Sequence, residues 1–117
     1  EIYLLWNQGK APQAWALYWD MIYRYILSLL QKFNQHIFLI NYEDMCTHSD
    51  FVLTNLYHFL DLPISKSNIK QQSKLLTLPT YYQPNITVSE QKDILNLTDS
   101  TFQNLKTISH SNARTLL

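Results

Sequence analysis

Tyr42, Glu43 and Asp44 stand in a row just after the apolar run Ile37-Phe38-Leu39-Ile40 and the intervening Asn41. A phenol offers a flat face and a hydroxyl, and two carboxylates offer the acid and base of a proton-transfer pair. Neighbouring positions of an extended chain point to opposite sides, so Glu43 and Asp44 cannot both face one ligand from there. Their oxygens are expected instead to accept N–H groups at the start of the next helix, and neither is read as catalytic. Tyr42 is the candidate ligand contact. The alternative is that its ring only covers the end of the apolar run.

Other reactive side chains form weaker patterns. His36, His48, His58 and His110 lack metal-ligand spacing with carboxylates on a shared helical face, so no metal is expected. The lone Cys46 excludes a disulfide within the chain and any cysteine-based zinc site. Lys66, Lys70 and Lys74 recur every four residues. On a helix they would line one face, read here as solvated, although such a face could meet a phosphate. Asn85-Ile86-Thr87 and Asn96-Leu97-Thr98 match the glycosylation pattern, but a chain this rich in Asn, Ser and Thr produces such matches by chance.

The elements that must position Tyr42 follow from the hydrophobic pattern. Residues 37–40 are apolar at every position, so both faces demand cover, as in a central strand of a parallel sheet. That predicts a buried parallel-type strand over about residues 36–42, with residues 34–36 turning into it. Ligands of open α/β sheets sit beyond the carboxyl ends of strands, where Tyr42 would then lie. No second segment reads as a partner strand. The chain is therefore expected to be one partial domain, residues 1–117, of a larger α/β protein.

Helices account for the rest. Residues 1–8 read as a helix stopped by Gly9, and Pro12 opens a long one. In it Trp15, Trp19, Ile22, Ile26 and Phe33 form an apolar face, widened by Tyr18, Met21, Tyr25 and Leu29. Thr47, Ser49 and Asp50 are placed to cap a helix over residues 51–60, with Val52, Leu53, Leu56, Phe59 and Leu60 inward and Pro63 enforcing its end. Residues 65–77 are weakly helical. Residues 78–85, with Pro79, Tyr81, Tyr82 and Pro84, read as an irregular loop. Thr87 and Glu90 have the spacing of a capping box before a final helix carrying Ile94, Leu97, Phe102, Leu105 and Ile108.

The order of these pieces resembles a family. An apolar strand, Tyr42-Glu43-Asp44-Met45, a polar turn, a helix ending His58-Phe59-Leu60-Asp61-Leu62-Pro63, an irregular loop and a last helix are similar to the C-terminal part of cofactor-dependent sulfotransferases. The resemblance covers about residues 12–108 and is most specific over residues 38–63. It implies a P-loop-like three-layer α/β fold. It also implies transfer of a sulfuryl group from 3′-phosphoadenosine 5′-phosphosulfate (PAPS) to a hydroxyl or amine, the acceptor being a small molecule, a glycan or a lipid. In the family the tyrosine closing this strand contacts the cofactor's adenine, and Tyr42 is its match. The phosphosulfate loop and the serine and arginine that hold the 3′-phosphate lie upstream of that tyrosine, so this reading expects them before Glu1 and expects the chain alone to be inactive. The Gly-rich nucleotide loop near the C-terminus of one large branch is also absent, which points to a more divergent, bacterial-type branch. The competing function is an inactive, truncated relative that serves as a binding or scaffold module.

Composition bounds both readings. The 117 residues are 46% hydrophobic and 14% aromatic, with a single glycine, so the chain folds but carries no Gly-rich phosphate cradle. Nine basic and nine acidic residues balance, which argues against a nucleic-acid partner. Asp20 and Arg24 interrupt the most apolar helix, so no membrane span is expected. The stretch beginning at Glu1 lacks signal-peptide features, and a soluble, cytoplasmic setting is favoured over the Golgi lumen.

Overall fold

The computed structural model describes residues 1–81 and 83–115, with side chains through residue 110. Its elements are α1 (Ile2–Asn7), α2 (Ala11–Phe33), α3 (Tyr42–Thr47), α4 (Ser49–Phe59), α5 (Lys66–Ser73) and α6 (Val88–Thr115). They gather into two compact units. The first comprises Glu1–Asn34 with Gln83–Leu105, and the second Gln35–Tyr82 with Lys106–Leu117.

The expected α/β architecture is overturned. Among the described residues there is no strand: residues 34–36 turn, residues 37–41 carry no regular structure, and Tyr42 already begins α3. The physical reason is that a strand exists only through a backbone ladder to a neighbour, and no other segment here supplies one. Residues 37–40 are all half-buried rather than covered on both faces. The described residues therefore show neither a parallel-type strand nor a P-loop-like three-layer sheet. It is a helical protein.

In the first unit, α1 packs on α2 through an aromatic corner. Trp6 meets Trp15 edge to face at 5.9 Å, and Trp15 meets Tyr18 at 6.0 Å. Gly9 stops α1 with a φ of 73°, as its sequence position requires. The Gly9 N–H donates to Trp6 O and the Lys10 N–H to Leu5 O, the paired bonds of a Schellman motif. Pro12 lies in the first turn of α2, where its missing N–H leaves no bond unmade. The wide apolar face expected of α2 is only partly used. Ala14, Ala16 and Leu30 are buried, while Trp15, Tyr18, Met21, Tyr25 and Phe33 remain exposed.

Asp20, read in the sequence only as an interruption, is 4% exposed. The buried Thr101 hydroxyl donates to its Oδ1, and Arg24 Nε lies 2.8 Å from its Oδ2. The Thr87–Glu90 capping box forms as expected. The Thr87 N–H donates to Glu90 Oε2 at 2.8 Å and the Glu90 N–H to Thr87 Oγ1 at 3.1 Å. Leu105 of α6 is buried, and Ile94, Leu97 and Ile108 are half-buried.

In the second unit, α4 packs against α3 and α5. Val52, Leu53 and Ile69 form the buried apolar core, and the Phe38 and Phe59 rings face each other at 5.1 Å. The Tyr57 hydroxyl donates to Gln72 Oε1 at 2.9 Å, tying α4 to α5. Ser65 caps α5 by accepting the Asn68 N–H. Helix α4 ends in a second Schellman motif: Asp61, at a φ of 53°, donates its N–H to His58 O, and the Leu62 N–H donates to Tyr57 O. The expected irregular loop is present in the described part of residues 78–85, while Tyr82 lies outside the described residues.

Candidate functional site

Tyr42 is the first residue of α3 and is 59% exposed. Its phenol is raised above its ordinary range, chiefly by a side-chain hydrogen bond with the Cys46 sulfur and by the charge that sulfur can carry, with a smaller contribution from Tyr81. Cys46 lies one helical turn on, so the i to i+4 spacing of a short helix places thiol beside phenol. Its ring is largely open to solvent.

The cap of α3 comes from a residue the sequence reading passed over. Asn41 Oδ1 accepts the Asp44 N–H at 3.1 Å, which is the N-cap geometry expected of asparagine. Glu43 and Asp44 occupy the first turn, where negative charge complements the helix dipole. They do not fill the N-cap. Thr47 and Ser49 also depart from their expected capping role. The Thr47 hydroxyl donates back to Glu43 O at 2.8 Å and the Ser49 hydroxyl to Met45 O at 2.7 Å, while His48 holds the N-cap position of α4 without a side-chain bond there.

Asp44 has a partner 66 positions away. Its Oδ2 lies 2.9 Å from His110 Nε2, and the two side chains are 33% and 47% exposed. This pair sits at the edge of a pocket of about 350 Å³ within the second unit. Phe38, Leu39, Ile40, Phe51 and Val52 provide the apolar lining, and Asn41, Asp44, His48, Asn55, Ser109 and His110 the polar groups. Tyr42 is not part of this lining. The structure thus brings Asp44, His48 and His110 to one cavity and leaves Tyr42 outside it.

Asn55 is the residue that sequence reasoning missed most clearly. It is 2% exposed, the largest fully buried side chain among the described residues, and its Nδ2 has no hydrogen-bond partner. A signal existed, because Asn55 falls three residues after Val52 and four before Phe59, in the apolar stripe of α4. Ser109 is buried too, but its hydroxyl is used, donating to Lys106 O at 2.9 Å. His48 Nδ1 lies 2.9 Å from Thr47 Oγ1. His36, His58 and the three lysines are exposed. Among the described residues no group of three or more His, Cys, Asp or Glu could hold a metal ion, and no helix is long and apolar enough to cross a membrane. No protein family, no curated protein and no solved structure matches this chain.

Proposed function

We propose that these residues belong to a PAPS-dependent sulfotransferase, with Tyr42 offering its ring to the adenine of the cofactor and a hydroxyl or amine as acceptor. The observation that carries the reading is the exposure of Tyr42 within the Tyr-Glu-Asp-Met sequence. An aromatic ring 59% in solvent keeps a face on which a base can stack. Tyr81, 89% exposed, contributes to the same electrostatic environment and is a second ring available to a flat ligand. The residues present fit the adenine end of the cofactor only. PAPS supplies the sulfuryl group in such chemistry, and the single Gly9 leaves this chain without a glycine-rich loop for the phosphates, so no transfer step is assigned to its residues.

A second reading, a binding module without nucleotide, draws on the first unit, where Trp15, Met21 and Tyr25 are each more than half exposed on α2. Calorimetric titration of PAPS into the protein translated from the complete reading frame containing these residues separates the two. Saturable binding that weakens on Tyr42→Ala supports the transferase, and absence of binding supports the module.

A further inference from the structure

Within the first unit, α1 and α2 form an open cleft of about 280 Å³ lined by Ile2, Trp6, Ala14, Trp15 and Tyr18. Three of these side chains are aromatic, and successive rings stand nearly at right angles, Trp6 to Trp15 at 80° and Trp15 to Tyr18 at 73°. Two edge contacts of this kind engage at most two of the six ring faces. Trp6, Trp15 and Tyr18 are 51%, 59% and 42% exposed, so ring surface beyond those contacts stays open.

Chemistry narrows the ligand. An aromatic face carries the negative end of the ring quadrupole, which attracts a cation and opposes an anion. No charged side chain lies in the lining, so no lysine or arginine there competes for the rings. The side-chain polar atoms of the lining are two indole N–H groups, which only donate, and the Tyr18 hydroxyl. A primary ammonium carries three N–H donors and would meet a single side-chain acceptor. A quaternary ammonium carries none, and forfeits no such bond on entering. Size agrees with this choice, because small-molecule sites run from about 300 to 1,000 Å³ and a cleft of about 280 Å³ suits a group rather than a large ligand.

We infer that the Trp6–Trp15–Tyr18 corner binds a quaternary ammonium group, its methyl surface resting against the ring faces. The inference goes beyond the sulfotransferase reading and uses none of its residues, since Tyr42 belongs to the other unit.

The test sets choline against 3,3-dimethyl-1-butanol, its uncharged carbon isostere, on the protein from the complete reading frame. ¹H–¹⁵N spectra follow the indole N–H signals, with Trp19, outside the lining and paired with Tyr23, as the internal control. A cleft that only shelters apolar surface prefers the butanol, because choline must shed more water. Open ring faces reverse that order. The expected result is saturable choline binding, about 2- to 5-fold tighter than the butanol, that moves the Trp6 and Trp15 signals. Trp15→Leu, at the ring shared by both contacts, should abolish it, and Tyr18→Phe, which keeps the ring face, should preserve it. No saturable choline binding, shifts confined to Trp19, equal or tighter binding of the butanol, or unchanged choline affinity in Trp15→Leu would each overturn the proposal. Loss of binding in Tyr18→Phe would do the same, by making the hydroxyl the contact. The wild-type ratio decides even if a variant fails to fold. Retention on phosphatidylcholine vesicles that free choline competes away assigns the ammonium to a lipid headgroup; without such retention the ligand is a free compound.

Discussion

The Thr101 hydroxyl donates to the Asp20 carboxylate across 81 positions of sequence, and both side chains are buried. This bond secures α6 to α2 inside the first unit, where a carboxylate without donors would be strongly unfavourable. Thr101→Val keeps the shape and removes the donor. It should lower unfolding stability by about 1–3 kcal/mol, read from urea denaturation. Arg24, whose side chain is 69% exposed, should matter less: Arg24→Met is expected to cost under about 1 kcal/mol. Equal losses would mean that the ion pair holds Asp20 as strongly as the buried hydroxyl does.

Gly9 and Asp61 occupy the same left-handed position in two Schellman motifs, at φ of 73° and 53°. A Cβ added at Gly9 meets nothing within 4 Å, so the cost of Gly9→Ala is one of backbone conformation alone, about 1–2 kcal/mol. Asp61→Gly acts in the opposite direction and should stabilise by about 0.5–1 kcal/mol. Thermal unfolding of the two variants gives both signs in one experiment.

The Thr87–Glu90 box closes the N-terminus of α6 with two reciprocal bonds. Thr87→Ala should cost about 0.5–2 kcal/mol, with amide exchange accelerating first in the opening turn of the helix. Unchanged exchange there would show that the box is dispensable.

What was legible in the sequence was local. Pro12, Gly9 and the Thr87–Glu90 spacing marked helix ends because caps depend on residues a few positions apart. The run over residues 37–40 misled because a short continuous apolar stretch fits a buried strand, while the ladder that would make it one depends on partners far away in sequence. The two adjacent carboxylates are the expected caps, yet the amide oxygen of Asn41 caps α3 while Glu43 and Asp44 occupy its first turn. Thr101 and Asn55 share a different reason. Each is a polar residue within an apolar stripe, Thr101 midway between Leu97 and Leu105 at four-residue steps, and only tertiary packing decides what such a residue meets. The Asp44–His110 pair was invisible for the same reason.

The Tyr42 hydroxyl should titrate above the ordinary phenol value of about 10. The sign follows from its neighbour. The hydrogen bond to the Cys46 sulfur favours the protonated phenol, and negative charge on that sulfur opposes a second negative charge on the ring. Cys46→Ala removes both effects and should bring the titration down towards 10. With eight tyrosines in the chain, ¹³C labelling at the tyrosine ζ carbon resolves the site. A Tyr42 titration unmoved by Cys46→Ala would show that the thiol does not hold the phenol.

The most direct measurement is PAPS affinity with and without the Tyr42 ring, by calorimetry on the protein from the complete reading frame. If the ring stacks on adenine, PAPS binds saturably and Tyr42→Ala weakens binding by about 1–3 kcal/mol, or about 5- to 150-fold. PAPS binding of equal strength in both proteins would remove Tyr42 from the cofactor site, and no PAPS binding in either would contradict the sulfotransferase assignment itself.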